Sequence, residues 1–230
     1  MKKGMLFINL LLALVLVFQF TAFANSIDLT TDTTYQKEGT DFLSLNKPVT
    51  ISSNYNSGSG SWKTSGLNDG KVGTDYPYGW TTDPNDPEAN ADKEAWVQID
   101  LEDVYGIERI VLWPRQDKNP PEGYPIDFTL EISVDGENWT VVATETGQTD
   151  VTPDAKIFDI DTVNGRYVRM HCTKRNAAGS QYVVQLAEMA VYGGEPVTSS
   201  PETFDSSISI FLIVFVVVVA ASFYRNKSYN

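Results

Sequence analysis

The residue types that most often carry covalent or metal chemistry are rare in this sequence. Its 230 residues include one histidine, His171, and one cysteine, Cys172. A Ser-His-Asp triad or a Cys/His zinc site needs several such side chains from separate positions, so both are excluded. Two carboxylates, Asp83 and Asp86, lie close together in the sequence, as a general acid and base would. They fall in a Pro-rich loop, however, where exposure to solvent explains their presence more simply than catalysis does. The sequence therefore predicts a protein that is not an enzyme.

His171 and Cys172 both belong to the segment YVRMHCT, whose alternation predicts a β-strand. Val168, Met170 and Cys172 fall on one face of that strand, so we expect Cys172 to be buried packing. We expect His171 to face outward or toward a loop. A lone cysteine cannot form an internal disulfide, which for an exported protein indicates a bacterial envelope or a core large enough to be stable by itself.

Short strands separated by turns account for the segment between residues 41 and 194. The clearest is Phe128 to Val134, where apolar and polar residues alternate; Asp135-Gly136 then supplies a turn, and Trp139 to Ala143 returns as the partner strand. Further strands are predicted at Ala95 to Leu101, Glu108 to Trp113, Lys156 to Ile160, Arg166 to Thr173 and Val183 to Tyr192. Many short strands and no amphipathic helix predict an all-β sandwich or barrel.

Residues 1–24 have the features of a secretory signal peptide. Lys2 and Lys3 supply the positive charge, residues 6–20 the apolar run, and Ala22-Phe23-Ala24 a small-x-small cleavage site. An uncleaved membrane anchor is the alternative. The next stretch, residues 25–40, is rich in Thr, Asp and Ser, and predicts a flexible lead-in to the domain at 41–194.

Residues 208–224 are almost wholly apolar and are followed by Arg225 and Lys227. This length is close to the lower limit for a helix that crosses about 30 Å of hydrocarbon. Cations just after the run favour a cytoplasmic tail at 225–230. We expect a single-pass membrane protein whose domain lies outside the cell, joined to the helix by a Pro/Ser/Thr linker at 195–207.

The segment between the two apolar ends is strongly acidic. Without Lys2, Lys3, Arg225 and Lys227 it retains 13 Lys and Arg against 30 Asp and Glu, which is a formal charge of about −17. Such a field disfavours nucleic acid and anionic lipid as partners and favours neutral or cationic ligands and divalent cations. The alternative is that the acidic residues only keep the surface soluble, which would give the same composition.

The order of seven motifs resembles the factor V/VIII C-type (discoidin) domain, including the family 32 carbohydrate-binding modules of bacteria. The motifs are NKPVTISSNY, LNDGKVGTDYPYGW, AWVQIDL, IERIVLWPRQD, YPIDFTLEISVDGENW, GRYVRMH and VVQLAEMAVYG. Together they cover about residues 43–193. The resemblance implies an eight-stranded antiparallel jelly-roll β-sandwich of the galactose-binding-like type.

A structural calcium ion is also implied by the resemblance. The family holds this ion with a carboxylate from an Asp-Gly turn, a hydroxyl five residues later and a glutamate on the last strand. The matching residues here are Asp69, Thr74 and Glu188. Backbone oxygens of Gly66, Lys71 and Ala187 complete the expected set. Calcium prefers six to eight hard oxygen ligands, so this combination suits it. The ion would tie the first loop to the last strand.

Sugar-binding members of the family recognise ligands on loops at one end of the sandwich, which here are residues 76–83, 115–124 and 176–182. The resemblance implies four ligand-binding residues in or beside them: Trp80, Arg115, Asn119 and Tyr182. Tyr78 is an alternative to Trp80 as an apolar wall. An aromatic face packs on sugar C–H groups, while the forked donors of arginine satisfy neighbouring hydroxyls. A histidine common in galactose binders has no match near Asp83.

These features favour a calcium-stabilised module at the cell surface that binds glycans outside the cell and mediates adhesion. A protein-binding module of the discoidin type is the alternative. SPETFD at 200–205 also resembles a sortase signal, with Phe204 where that family has glycine, so attachment to the cell wall is the alternative to the membrane helix.

Overall fold

A computed structural model of the chain describes residues 26–53, 55, 62–74 and 78–197. These residues form short 3-10 helix Thr64–Gly66 and thirteen strands: β1 Ile27–Asp28, β2 Asp41–Phe42, β3 Val49–Ile51, β4 Lys71–Val72, β5 Trp80–Thr81, β6 Ala95–Trp113, β7 Asp127–Ser133, β8 Thr140–Glu145, β9 Lys156–Lys174, β10 Asn176–Ala178, β11 Gln181–Val183, β12 Gln185–Leu186 and β13 Glu188–Gly194. No helix within the described ranges is long and apolar enough to span a membrane. The predicted signal peptide (1–24) and apolar segment (208–224) lie outside these ranges.

Seven strands form one continuous antiparallel sheet in the order β2-β13-β6-β9-β7-β8, with β3 also paired to β6. The sheet folds into a sandwich because β6 and β9, of 19 residues each, change register between Asp100 and Tyr105 and run through both layers. The predicted all-β antiparallel sandwich is confirmed. The expected count of eight strands is not matched, since these two long strands each serve both layers.

Alternating apolar residues of the long strands meet in the main core. Val168, Met170 and Cys172 of β9 are fully buried there, as predicted, together with Leu130 and Ile132 of β7. Burial raises the pKa of the Cys172 thiol to about 12, so the thiol stays protonated at neutral pH. His171 lies half-buried on the opposite face of β9.

A second apolar cluster lies on the other side of β13 and is covered by residues 26–42, which we call the N-terminal strap. β1 pairs with β4, Leu29 of the strap is 5% exposed, and the Tyr35 ring packs edge-on against Trp113 at 5.0 Å. The sequence predicts a flexible lead-in here, and the structure instead packs it. Leu29 and Tyr35 are too far apart in the sequence to give the regular spacing of apolar residues that predicts a packed segment. Each nevertheless packs against the apolar side of β13.

The two ends of the sandwich carry different parts of the chain. β13 starts at Glu188, paired with Trp113, and ends at Gly194, paired with Gly106, so its ends are about 20 Å apart. The end at Trp113 bears the connections 78–94, 114–126 and 174–187, and we call it the loop end. The chain leaves at the other end, where the Asn164 side chain donates to the Val197 carbonyl (2.6 Å) and accepts from its amide (2.7 Å).

Candidate functional site

Two carboxylates from distant parts of the chain meet near the loop end, and we call Asp69 and Glu188 the acid pair. Asp69 lies in the turn before β4, where Gly70 has a φ of +78°, a value that favours glycine. Glu188 is the first residue of β13. The Gly70 amide donates to Glu188 Oε1 at 3.4 Å, and the Lys71 amide donates to Asp69 Oδ1 at 3.0 Å. The topology therefore brings the two acids together.

The acid pair is short of positive charge. Glu188 is 0% exposed, and its Oε2 has no hydrogen-bond partner among the described residues. Burial, followed by the charge of Asp69, raises the pKa of Glu188 well above its usual range. Burial also raises the pKa of Asp69. Desolvation and like-charge repulsion both penalise ionisation, so this site attracts a cation.

Backbone segments approach each other closely beside the acid pair. A Cβ on Gly79 would collide with the carbonyl oxygen of Ala187, and a Cβ on Gly66 would lie 3.0 Å from the carbonyl oxygen of Tyr78. The Met189 amide donates to the Leu67 carbonyl at 2.6 Å, which fixes the loop against β13. These close backbone approaches need glycine at both positions.

The donor set fits a hard cation rather than a transition metal. Among the described residues, no group of three or more His, Cys, Asp and Glu side chains could hold a metal ion. Two carboxylates supplemented by carbonyl oxygens are ligands that calcium prefers. Glu188, whose Oε2 has no partner among the described residues, adjoins the turn that holds Asp69, and the carbonyl of Ala187 faces Gly79, while Thr74 is exposed in the turn after β4.

Five side chains at the loop end form a cluster of aromatic and polar groups, which we call the loop patch: Trp62, Tyr78, Arg115, Asp117 and Gln185. The guanidinium carbon of Arg115 is 5.5 Å from the ring centre of Trp62 and 5.7 Å from that of Tyr78. The two rings are 4.9 Å apart at 51°. Both are half-buried, so each keeps part of its surface open to solvent.

Arg115 is held rigidly by its neighbours. Its Nε and one terminal nitrogen donate to the two oxygens of Asp117 at 2.7 Å each, and the other terminal nitrogen donates to Gln185 Oε1 at 2.9 Å. The Tyr78 hydroxyl donates to Asp117 at 3.0 Å. A two-point Arg–carboxylate contact fixes orientation as well as charge. These contacts therefore hold the Arg115 guanidinium in one orientation.

The charge within the loop patch is balanced. Burial acts to raise the pKa of Asp117, but its hydrogen bonds and charge interaction with Arg115, and the Tyr78 hydroxyl, outweigh burial and lower the pKa below its usual value. Burial, then the hydrogen bond to Asp117, raises the pKa of Tyr78. At neutral pH Asp117 is thus ionised and Tyr78 keeps its proton.

Residues 48–189 match the profile of the F5/8 type C domain. This match covers more than half of the chain. The chain belongs to the F5/8 type C domain family. The resemblance seen in the sequence motifs is confirmed, and the domains of this family are non-catalytic binding modules.

Solved structures share the fold of this F5/8 type C domain. CpGH89CBM32-5 from Clostridium perfringens, in complex with GalNAc-β-1,3-galactose, has a TM-score of 0.52 and 20% identity over 66% of this chain and 99% of its own. The family 32 module of NanJ from C. perfringens, in complex with galactose, has a TM-score of 0.50 and 15% identity over 66% and 98%. A chitosan-binding module from Paenibacillus sp. IK-5 has 27% identity and a TM-score of 0.47 over 66% and 99%.

Trp80 does not belong to the surface of this F5/8 type C domain. Its side chain is 1% exposed in the main core, where β5 pairs with β12 and Trp80 lies opposite Leu186. The prediction that Trp80 forms a ligand wall is wrong, because neighbouring residues of a strand point to opposite sides and this one points inward. The exposed aromatics beside Arg115 are Tyr78 and Trp62.

The other predicted ligand residues are spread over the loop end. Arg115 is in the loop patch, Asn119 is exposed in the connection after it, and Tyr182 is 40% exposed on the β10–β11 hairpin. Arg175, 1% exposed, ties that hairpin to the connection before β6 by donating to the carbonyls of Lys93 (2.6 Å) and Glu94 (3.1 Å). No described contact joins Asn119 or Tyr182 to Arg115.

Sequence reasoning missed three members of the loop patch: Trp62, Asp117 and Gln185. Trp62 follows a Gly/Ser run, SGSGS, in which a lone large aromatic has little reason to be buried. That signal could have identified it. Asp117 and Gln185 carry no comparable signal, since their role depends on the position of Arg115.

Proposed function

We propose that this F5/8 type C domain is a non-catalytic carbohydrate-binding module that takes its ligand at the loop patch. The observation that carries the proposal is the pair of half-exposed rings, Trp62 and Tyr78, beside a guanidinium that Asp117 and Gln185 hold in place. Aromatic faces pack on sugar C–H groups, and fixed polar groups at their edge select the hydroxyl pattern.

The fold relatives support the same ligand class. Two structures with this fold were solved with galactose and with GalNAc-β-1,3-galactose. An acidic chain of formal charge −13 favours neutral or cationic ligands over anionic ones. A single open patch binds sugar weakly, so we expect strong adhesion only where many copies are displayed together.

Calcium at the acid pair is the second part of the proposal. Glu188 and Asp69 would hold it with their carboxylates, and Ala187, Gly66 and Lys71 with their carbonyl oxygens; Thr74 is the expected hydroxyl ligand. A bound calcium ion would supply positive charge to the buried Glu188 and the half-buried Asp69. Because the unfolded chain lacks the site, binding would stabilise the native state.

Display outside the cell is the third part. The predicted signal peptide (1–24) and the apolar segment (208–224) support export followed by membrane anchoring, and SPETFD supports wall attachment as the alternative. The described domain ends at Val197, at the end of the sandwich opposite the loop patch.

A glycan array probed with the purified full-length chain in calcium tests the proposal. We expect binding to a limited set of neutral or amino glycans, and a loss of about tenfold or more in Arg115→Lys, which cannot make the two-point contact. Arg166→Lys is the matched control, because Arg166 makes a similar contact with Asp100 (2.7 and 2.8 Å) away from the loop end. A chain that binds a protein partner but no glycan belongs to the protein-binding class instead.

A further inference from the structure

A cavity opens beside β3, between the residues that lead into this strand and the 3-10 helix Thr64–Gly66, and we call it the edge cavity. Its volume is about 280 Å³, and six residues line it: Asn46, Lys47, Val49, Thr64, Ser65 and Asn68. Asn46 and Ser65 are exposed, and Lys47, Val49 and Thr64 are half-buried. A ligand in the edge cavity can therefore touch these five side chains, whereas Asn68 is buried.

Asn68 holds one wall of the edge cavity in a fixed shape. Its side-chain amide donates to the carbonyls of Ser44 (2.7 Å) and Lys47 (2.9 Å), and its backbone carbonyl accepts from the Asn46 amide (2.8 Å). Asn46 has a φ of +56°, a left-handed conformation that asparagine adopts more readily than most residues. A ligand would not have to order this wall, so little binding energy is lost there.

The polar groups of the edge cavity are available to a ligand. Within the part of the chain that the structure describes, the side chains of Asn46, Thr64 and Ser65 make no hydrogen bond. The Lys47 ammonium donates to Glu102 Oε2 at 2.7 Å, which balances its charge. The edge cavity thus offers donors and acceptors without a net charge. A neutral ligand rich in hydroxyls can pair with them, whereas an apolar ligand would leave them unpaired.

The edge cavity adjoins the loop patch along the chain. Trp62 of the loop patch is two residues before Thr64, so their Cα atoms are at most about 7 Å apart. Gly66, at the end of the same turn, lies against Tyr78, since a Cβ there would be 3.0 Å from the Tyr78 carbonyl oxygen. One short segment therefore borders both the aromatic rings of the loop patch and the polar wall of the edge cavity.

Size limits what the edge cavity can hold. A cavity of about 150 Å³ accommodates benzene, and pockets for drug-sized molecules begin at about 300 Å³. The edge cavity accordingly has room for one six-membered ring with its hydroxyls. We propose that it is a second subsite, which holds the next sugar unit of a glycan whose terminal unit lies on the loop patch. This inference rests on the proposed function, and it makes the ligand an oligosaccharide instead of a single sugar.

The dependence of affinity on glycan length tests this subsite. Dissociation constants are measured by NMR titration of the full-length chain in calcium with two pairs of probes, galactose and GalNAc-β-1,3-galactose, and glucosamine and chitotriose. In at least one pair we expect the longer sugar to bind about fivefold tighter or more, because its second unit gains at least one hydrogen bond.

Two variants remove ligand contacts of the edge cavity alone. Thr64→Val deletes a hydroxyl at nearly constant shape, and Asn46→Gly deletes an amide while permitting the positive φ. Together they should reduce the advantage of the longer sugar to less than about twofold and leave the affinity for the single sugar unchanged. Thr144→Val, an exposed threonine of β8, is the matched control and should keep the full advantage.

The possible failures are distinguishable. If single and longer sugars bind equally well, or if the advantage persists in the double variant, the subsite is overturned and the proposed function stands. If the double variant weakens the single sugar as much as the longer one, these residues support the loop patch and do not form a separate subsite. If none of the four sugars binds, the proposed function and the subsite are both overturned.

Discussion

The acid pair and the loop patch both contain carboxylates, yet the protein treats them in opposite ways. Asp117 accepts two hydrogen bonds from Arg115 and one from Tyr78, and its pKa is lowered. Glu188 accepts one long bond from the Gly70 amide, its second oxygen is unpartnered, and its pKa is raised. The charges of the loop patch balance each other, whereas we propose that a bound cation balances the acid pair.

The parts of the structure that surround the acid pair and the loop patch also differ. The acid pair adjoins β4, which the N-terminal strap clamps through its pairing with β1, and the Leu29 amide donates to the Gly70 carbonyl at 2.8 Å. The loop patch lies on connections whose rings stay partly open to solvent. We propose that the acid pair serves stability and the loop patch recognition, and substitutions should separate the two.

The largest effect should come from removing calcium. With calcium at about one hundred times its dissociation constant, the native state gains about 2.7 kcal/mol, so a chelator should lower the melting temperature by about 5–10 °C. Glu188→Gln should abolish this calcium response, and in chelator it should melt no lower than wild type because it removes an unpaired buried charge. Calorimetry measures both.

Glu137→Gln, an exposed residue of the β7–β8 hairpin, is the matched control and should keep the full calcium response. A wild-type melting temperature that is equal in calcium and in chelator would contradict the cation site. A Glu188→Gln protein that still responds to calcium would move the site elsewhere.

The next effect should come from the strap. Leu29→Ala deletes a side chain that is 5% exposed and should lower the free energy of unfolding by about 2 kcal/mol, measured by chemical denaturation. Val141→Ala, at a position that is 53% exposed, should change it by less than about 0.5 kcal/mol. Equal stability of Leu29→Ala and wild type would mean that the strap does not contribute to the fold.

A smaller effect, confined to ligand affinity, should follow from Trp62→Ala. Loss of one stacking ring should weaken glycan binding about tenfold with little change in melting temperature. Trp139→Ala is the control: that ring lies at the other end of the sandwich, with the Arg169 guanidinium 3.9 Å from its centre, and its loss should leave affinity unchanged. Equal affinity losses in the two variants would argue against the loop patch.

The smallest effect should be the pH dependence that Asp117 contributes. Its folded pKa is lower than the usual 3.8, so its stabilising contribution is present above that value and is lost as pH falls through the folded pKa. At pH 7, Asp117→Asn should cost less than about 1 kcal/mol because the carboxylate is partly exposed. The difference from wild type should shrink toward zero as the pH falls through the folded pKa. A constant difference across this range would show that charge is not its cause.

Strand positions were largely predictable, and strand lengths were not. Glu108 to Trp113 and Ala95 to Leu101 are predicted as separate strands, but both belong to β6, Ala95–Trp113. The strand bends between these two segments, where Glu102 has a φ of +70°, and apolar and polar residues do not alternate there. Pairing of β6 with β9 resumes after the bend. Conversely, the predicted strand Val183 to Tyr192 is divided among β11, β12 and β13. The local alternation of apolar and polar residues indicates which side chains are buried. Where a strand begins and ends depends instead on the neighbouring strands with which it pairs.

The candidate site was predictable where a backbone motif carries the chemistry. Asp69 follows from its Asp-Gly turn and Glu188 from the last strand, and the structure brings them together. Trp80 was assigned to the wrong surface, because an aromatic residue in a Trp/Tyr-rich loop carries no sign of which way it points. Trp62 was overlooked although the Gly/Ser run before it could have identified it. The strap was overlooked for a similar reason, since it packs through a few isolated apolar residues.

The sequence by itself determined the all-β class, through alternating apolar residues, and the family, through seven motifs in order. It also determined the acidic charge and the scarcity of catalytic side chains. Only the tertiary structure decided which aromatic rings reach solvent, that Asp117 neutralises Arg115, and that Oε2 of Glu188 has no partner among the described residues. Those features arise where segments distant in the chain meet, so they depend on how the sheets close and not on any local pattern.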